Sequence, residues 1–146
     1  MLEREFRGKL KRDKHGWIYG DLTHNYKKPG TVAIHYSIDG RLSQRSAYVI
    51  PETVGQFTGK YDKNAVKIYE GDIIVIHYDM DEKNNAIGYG TITYCPKEAA
   101  FKIDEGWGPV LLLASLLPEQ IEVIGNKFDG TNDSIVKPVE ARVEIE

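Results

Sequence analysis

Turn signals recur along this chain, and no segment between them reads as a helix of several turns. Asp13-Lys14-His15-Gly16, Lys27-Lys28-Pro29-Gly30, Ile38-Asp39-Gly40-Arg41, Glu70-Gly71-Asp72, Cys95-Pro96-Lys97-Glu98 and Gly106-Trp107-Gly108 are all built from residues that reverse a chain. The segments between them are rich in side chains branched at Cβ. Isoleucine supplies 15 residues, valine 10 and threonine 7, whereas leucine and alanine together supply 17. Such side chains are stiff at χ1 and fit a pleated surface better than a helix. One helical turn is expected, over Ala114-Ser115-Leu116-Leu117, ended by Pro118. Short strands at regular spacing, separated by turns, read as an all-β protein built as a small barrel or sandwich.

The expected strands follow from alternation. Residues 5–11 place Phe6, Gly8 and Leu10 on one face and Arg7, Lys9 and Lys11 on the other, and pair as a hairpin with 17–22. Further strands are expected over 31–37, 47–50, 54–58 and 67–69, with a polar turn over 60–66. Residues 73–78 are apolar on both faces, as in a strand covered on both sides. Residues 86–94 carry two glycines, which allow a bend or bulge. Residues 100–104 and 109–113 form another expected pair around the Gly106-Trp107-Gly108 turn, and 121–124 close at Gly125-Asn126. At the end of the chain, Val139, Ala141, Val143 and Ile145 alternate with Glu140, Arg142, Glu144 and Glu146. That is a period-2 strand with one apolar face, so it requires a partner in this chain's sheet or in a second copy.

Three segments resemble the YopX-like family of phage and prophage proteins. EFRGKLKRDKHGWIYGDL at 5–22 resembles the family's opening, PETVGQFTGKYDKNAVKIYEGDII at 51–74 its most recognisable stretch, and IEVIGN at 121–126 its closing strand. Their order and spacing agree, and the resemblance covers roughly residues 5–128. The sequence departs from the pattern at Ala65, where members usually carry glycine after Asp-Lys-Asn; alanine resists a positive φ. The resemblance implies an all-β fold whose C-terminal part is a roll like an SH3 barrel. It also implies residence in phages, prophages and other mobile elements, and no known activity. The expected organisation is a hairpin-rich segment over 1–50, an SH3-like roll over 51–128 and an acidic, strand-forming tail over 129–146. Within the roll, Tyr69-Glu70-Gly71-Asp72-Ile73-Ile74 reads as a diverging turn. Gly71 can take the left-handed conformation and Asp72 can accept from nearby amides.

Most chemistries leave no mark here. The histidines, His15, His24, His35 and His77, are not paired at metal-ligand spacing, and Cys95 stands alone. No nucleophile elbow is present. Gly88-Tyr89-Gly90 lies inside a strand pattern rather than at a strand-to-helix turn. Asp62, Glu70 and Asp72 lie close in sequence around the central motif and are the least implausible acidic cluster for catalysis, though turn chemistry accounts for the Tyr69–Ile74 motif that holds two of them. No enzymatic activity, cofactor or metal is expected. A single cysteine allows no internal disulfide. The N-terminal residues lack the apolar stretch of a signal peptide, and the longest apolar run is about half a membrane span. A cytoplasmic protein of a bacterial host, with no membrane partner, is expected.

Binding remains. Residues 1–14 hold six basic side chains against three acidic ones. Arg7, Lys9 and Lys11 share a strand face near Trp17, Tyr19 and Tyr26, a combination used to bind single-stranded nucleic acid. The net charge of −3 weighs against binding driven by counterion release. Tyr61, Tyr69, Tyr89, Tyr94 and Trp107 are candidate surface aromatics for a protein partner. The expectation is therefore a non-catalytic module that binds a host or phage protein and self-associates. A nucleic-acid-binding module using Arg7, Lys9, Lys11 and the aromatics is the alternative. Tyr61, Tyr69 and Trp107 are the aromatics assigned to binding.

Overall fold

A computed structural model describes residues 4–13, 16–25, 27–37, 44–77, 86–108 and 110–131. Every regular element among them is a β-strand or a single turn of 310 helix, and every strand pair is antiparallel. The chain divides into two units between Gly59 and Lys60.

The first unit contains β1 (Phe6–Lys9), β2 (Trp17–His24), β3 (Val32–Ser37), β4 (Gln44–Val49) and most of β5 (Gly55–Tyr61). They neighbour one another in the order β4-β3-β2-β1-β5. The hairpin expected at the start forms in the register Phe6↔Gly20 to Lys9↔Trp17. One edge of β1 is shared between two partners. Phe6 and Arg7 pair with Gln56 and Gly55 of β5. Just beyond β1, Leu10 bridges Val49 at the end of β4. The Ile50 N–H donates to the Lys9 carbonyl at 2.9 Å and the Lys11 N–H to the Tyr48 carbonyl at 3.1 Å. The four strands β1–β4 thereby close into a ring, which removes most of the sheet edge. Val32, Ile34 and Val49 are buried inside it, with Phe6, Ile18, Leu22 and Val54 packed against them. These are the inward positions of the period-2 pattern. The ring is tied to the turn Pro51–Thr53 by Thr53, whose Oγ1 accepts the Lys9 N–H at 2.9 Å and donates to the Ile50 carbonyl at 2.6 Å.

The second unit runs in the order β10-β9-β8-β7-β11-β12. These strands are β7 (Asp72–His77), β8 (Ala86–Cys95), β9 (Ala100–Trp107), β10 (Leu111–Leu112), β11 (Ile121–Asn126) and β12 (Gly130–Thr131). The short β6 (Lys67–Tyr69) lies beside the end of β5. Its core is Ile68, Ile74, Ile76, Ile92, Ile103, Leu113, Leu116 and Ile121. In β7 the run Ile74–His77 is buried throughout, in keeping with the continuous apolar run read from sequence.

The β6–β7 turn forms as its residues dictate. Gly71 has φ +96, a region that favours glycine, and the Tyr69 N–H donates to Asp72 Oδ2 at 2.7 Å. The glycines of β8 accompany two irregularities of register, between Ile76 and His77 on the β7 side and between Tyr89 and Thr91 on the β9 side.

Three expectations need correction. Strand β1 ends at Lys9 rather than at residue 11, because the chain bends at Lys11 and Arg12 once the ring is closed. Gly106 and Trp107 belong to β9, with Trp107 opposite Tyr89, rather than to a turn. Pro118 does more than end a helical turn. Leu113–Ser115 and Pro118–Gln120 are separate 310 turns, and Pro118 opens the second, where a missing N–H and a fixed φ are tolerated. The strand expected over 139–146 lies outside the described residues.

Candidate binding surface

The outward face of the first unit follows from the strand periodicity. In the registers Thr23↔Ala33 and Ala33↔Tyr48, three outward residues stand side by side across β2, β3 and β4. Ala33 is small, so a depression opens over it, flanked by Tyr48. It is lined by Thr23, His24, Asn25, Lys27, Ala33 and Tyr48 and holds about 450 Å³. A second depression, of about 360 Å³, opens on the other side of Tyr48, lined by Leu10, Lys11, Arg12, Ser46, Ala47 and Tyr48. Tyr48 is 50% exposed and forms the ridge shared by the two. His24, Lys27, Lys11 and Arg12 are exposed around it. A half-exposed aromatic between two pairs of basic or titratable groups suits an acidic partner or a stacked ring.

Charge is segregated along the chain. Residues 1–59 carry ten Lys and Arg against six Asp and Glu, a net +4, and residues 60–146 carry nine against sixteen, a net −7. The overall −3 therefore hides a basic first unit.

The residues singled out from sequence are distributed differently from that reading. Arg7 is 6% exposed and lies 4.8 Å from the centroid of the Trp17 ring. Lys9 Nζ lies 5.6 Å from the same ring and is half-buried. These two cations hold an aromatic rather than forming an open stripe. Lys11 alone of the three is exposed, and it lines the second depression. Tyr61 is 40% exposed. Tyr69 is 4% exposed and packs at the β6–β7 turn, so it presents no surface. Trp107 is half-buried on β9. Tyr61 and Trp107 line neither depression beside Tyr48.

The acidic grouping is structural. Asp62 is buried, and its Oδ1 accepts the N–H groups of Asn64 and Val66 at 2.8 and 2.9 Å while Oδ2 accepts that of Val123 at 2.9 Å. The carboxylate thus shapes the β5–β6 turn and ties it to β11. Asp72 is committed to the Tyr69 amide, and Glu70 is half-buried. His77 is buried against Glu122, at 3.0 Å between Nε2 and Oε1, and Lys63 approaches the same oxygen at 3.6 Å. Among the described residues no three His, Cys, Asp or Glu side chains converge. Cys95 is a free, half-buried thiol.

Sequence reasoning missed Tyr48, Ser46, Arg12, His24 and Lys27 as one surface. The local signal was present, since Ala47 and Val49 alternate with Ser46 and Tyr48, but what unites these residues is the pairing across β1–β4.

Comparison with known proteins adds the family. No curated protein matches this chain. The crystal structure of protein EF1440 from Enterococcus faecalis is similar at a TM-score of 0.43 and 19% identity, covering 86% of this chain and 94% of that one. The YopX protein family matches residues 5–132, which include both depressions and every strand of the two sheets, and the chain therefore belongs to that family.

Proposed function

We propose that this protein is a non-catalytic binding module of a phage, prophage or related mobile element, acting in the bacterial cytoplasm through its first unit on a host or phage protein. The observation that carries this reading is the exposed Tyr48 ridge between two depressions, bordered by Lys11, Arg12, His24 and Lys27 on a unit of net positive charge. Asp62 and Asp72 serve turns, and Arg7 and Lys9 of β1 hold Trp17. Among the described residues no helix is long and apolar enough to cross a membrane. The mobile-element setting is carried by the family resemblance. We read the second unit as an SH3-like roll, on the strength of the β6–β7 turn, the β7–β8–β9 meander and the 310 turns before β11. Self-association through the alternating 139–146 segment belongs to the same reading.

Affinity capture of the tagged protein from its own host, at low and at moderate salt, tests the proposal. A stoichiometric protein that survives moderate salt, and is lost from a Tyr48→Ala variant, is the expected result. Enriched nucleic acid that washes off with salt would overturn it in favour of single-strand binding by the same aromatic and cations.

A further inference from the structure

The ring of the first unit is not fully closed, and the gap lies in the second depression. Two bonds join β1 to the end of β4, from Ile50 to Lys9 and from Lys11 to Tyr48. Their placement fixes which residues of β4 turn their backbone groups away from β3. Tyr48 and Ile50 do so, and with a period of two Ser46 does as well. After Lys11 the chain bends away, so the pairing stops there. The Tyr48 N–H and the N–H and C=O of Ser46 then face outward with no hydrogen-bond partner among the described residues. An edge of this kind is a template for one more strand.

The surroundings say what that strand carries. Leu10 and Ala47 are half-buried at the floor of the depression. Lys11 and Arg12 line its wall, and the exposed Arg45 precedes Ser46 on the same edge. Asp13, also exposed, is the acidic neighbour in the chain. Three cations against one carboxylate favour a negatively charged occupant.

We infer that the open edge of β4 at Ser46–Tyr48 is a strand-addition site for an extended acidic peptide. The peptide places small apolar side chains over Leu10 and Ala47 and carboxylates beside Lys11 and Arg12. This assignment rests on the binding-module reading and names its partner class. Side chains of an added strand alternate between the two faces, so the fitting sequence alternates valine-like and acidic residues.

Fluorescence anisotropy of the full chain with a labelled heptapeptide of alternating glutamate and valine tests the inference. Saturable binding is expected. N-methylation of alternate peptide amides should weaken it by at least about tenfold, because strand addition is made by main-chain bonds. Lys11→Glu with Arg12→Glu should weaken it comparably, and Lys97→Glu, on an exposed turn of the second unit, should leave it unchanged. Absence of binding, or binding indifferent to N-methylation, would overturn the site. So would displacement of the peptide by oligothymidylate at lower concentration than by unlabelled peptide. A protein captured from the host whose binding ignores the Lys11 and Arg12 reversal would leave the binding-module reading standing and sink this edge alone.

Discussion

Ala65 occupies the left-handed region, at φ 62, where an alanine side chain crowds the following carbonyl. Its N–H closes the turn on the Asp62 carbonyl at 3.0 Å, so the turn keeps the shape that the family's usual glycine would take without strain. A non-glycine residue there costs about 1–2 kcal/mol, and glycine gives back about 0.5–1 kcal/mol through greater freedom in the unfolded chain. Ala65→Gly is therefore expected to stabilise the protein by about 0.5–1 kcal/mol, read as a higher urea midpoint at unchanged slope. A lower midpoint would contradict the account of this turn. Lys60 makes a second residue-scale prediction. Its Nζ donates to the carbonyls of Leu113 (3.1 Å) and Leu116, and burial lowers its pKa below the ordinary lysine value. Between that lowered pKa and 10.5 the unfolded chain holds more protons than the folded one, so stability contributed by this group rises with pH. Stability of the wild type relative to Lys60→Met should accordingly improve on going from pH 8 to pH 10.5, measured by paired urea titrations. A difference that falls over this range would refute the desolvation argument. At this scale the sequence was legible wherever chemistry is local. The Gly71 and Asp72 roles need only a turn, and both hold. The burial of Arg7 was not legible, because it depends on what pairs and packs around β1 rather than on the alternation within it.

Among elements, the β8–β9 pair shows how glycine decides strand geometry. A Cβ at Gly106 would sit 2.0 Å from the Tyr89 carbonyl oxygen and 2.5 Å from the Gly90 Cα, both backbone atoms that cannot swing aside. The register shift between Tyr89 and Thr91 lies at this approach. Gly106→Ala should force β9 away from β8 and cost about 1–3 kcal/mol, the range for overpacking a filled site. A thermal unfolding midpoint equal to wild type would show that the close approach is dispensable. The bulge was legible from two glycines in one strand pattern, but the membership of Gly106 and Trp107 in β9 was not. Gly-Trp-Gly is turn-like in isolation, and only the opposing Tyr89–Gly90 backbone explains why a glycine is needed inside a strand. Ring closure in the first unit was illegible for the same reason. Leu10 and Val49 are far apart in sequence, and no local pattern announces that one edge of β1 serves both β5 and β4.

For the whole molecule, composition gave the class and concealed the distribution. Abundant isoleucine, valine and threonine with closely spaced turns suffice for an all-β chain. A net charge of −3, however, argues against anionic partners only until the chain is divided into a first unit of +4 and a second of −7. Pairing between the end of β4 and the residues after β1 brings Lys11, the one exposed member of the basic trio, into the candidate surface beside residues that no linear motif connects. On the proposed function, recognition takes place on the first unit, at the Tyr48 ridge and the adjoining edge of β4. The most direct measurement is amide hydrogen exchange of the full chain, alone and with its captured partner. Slowed exchange is expected at the Ser46 and Tyr48 amides and around Lys11 and Arg12. Protection confined to residues 60–131, with the amides of β4 unchanged, would contradict it.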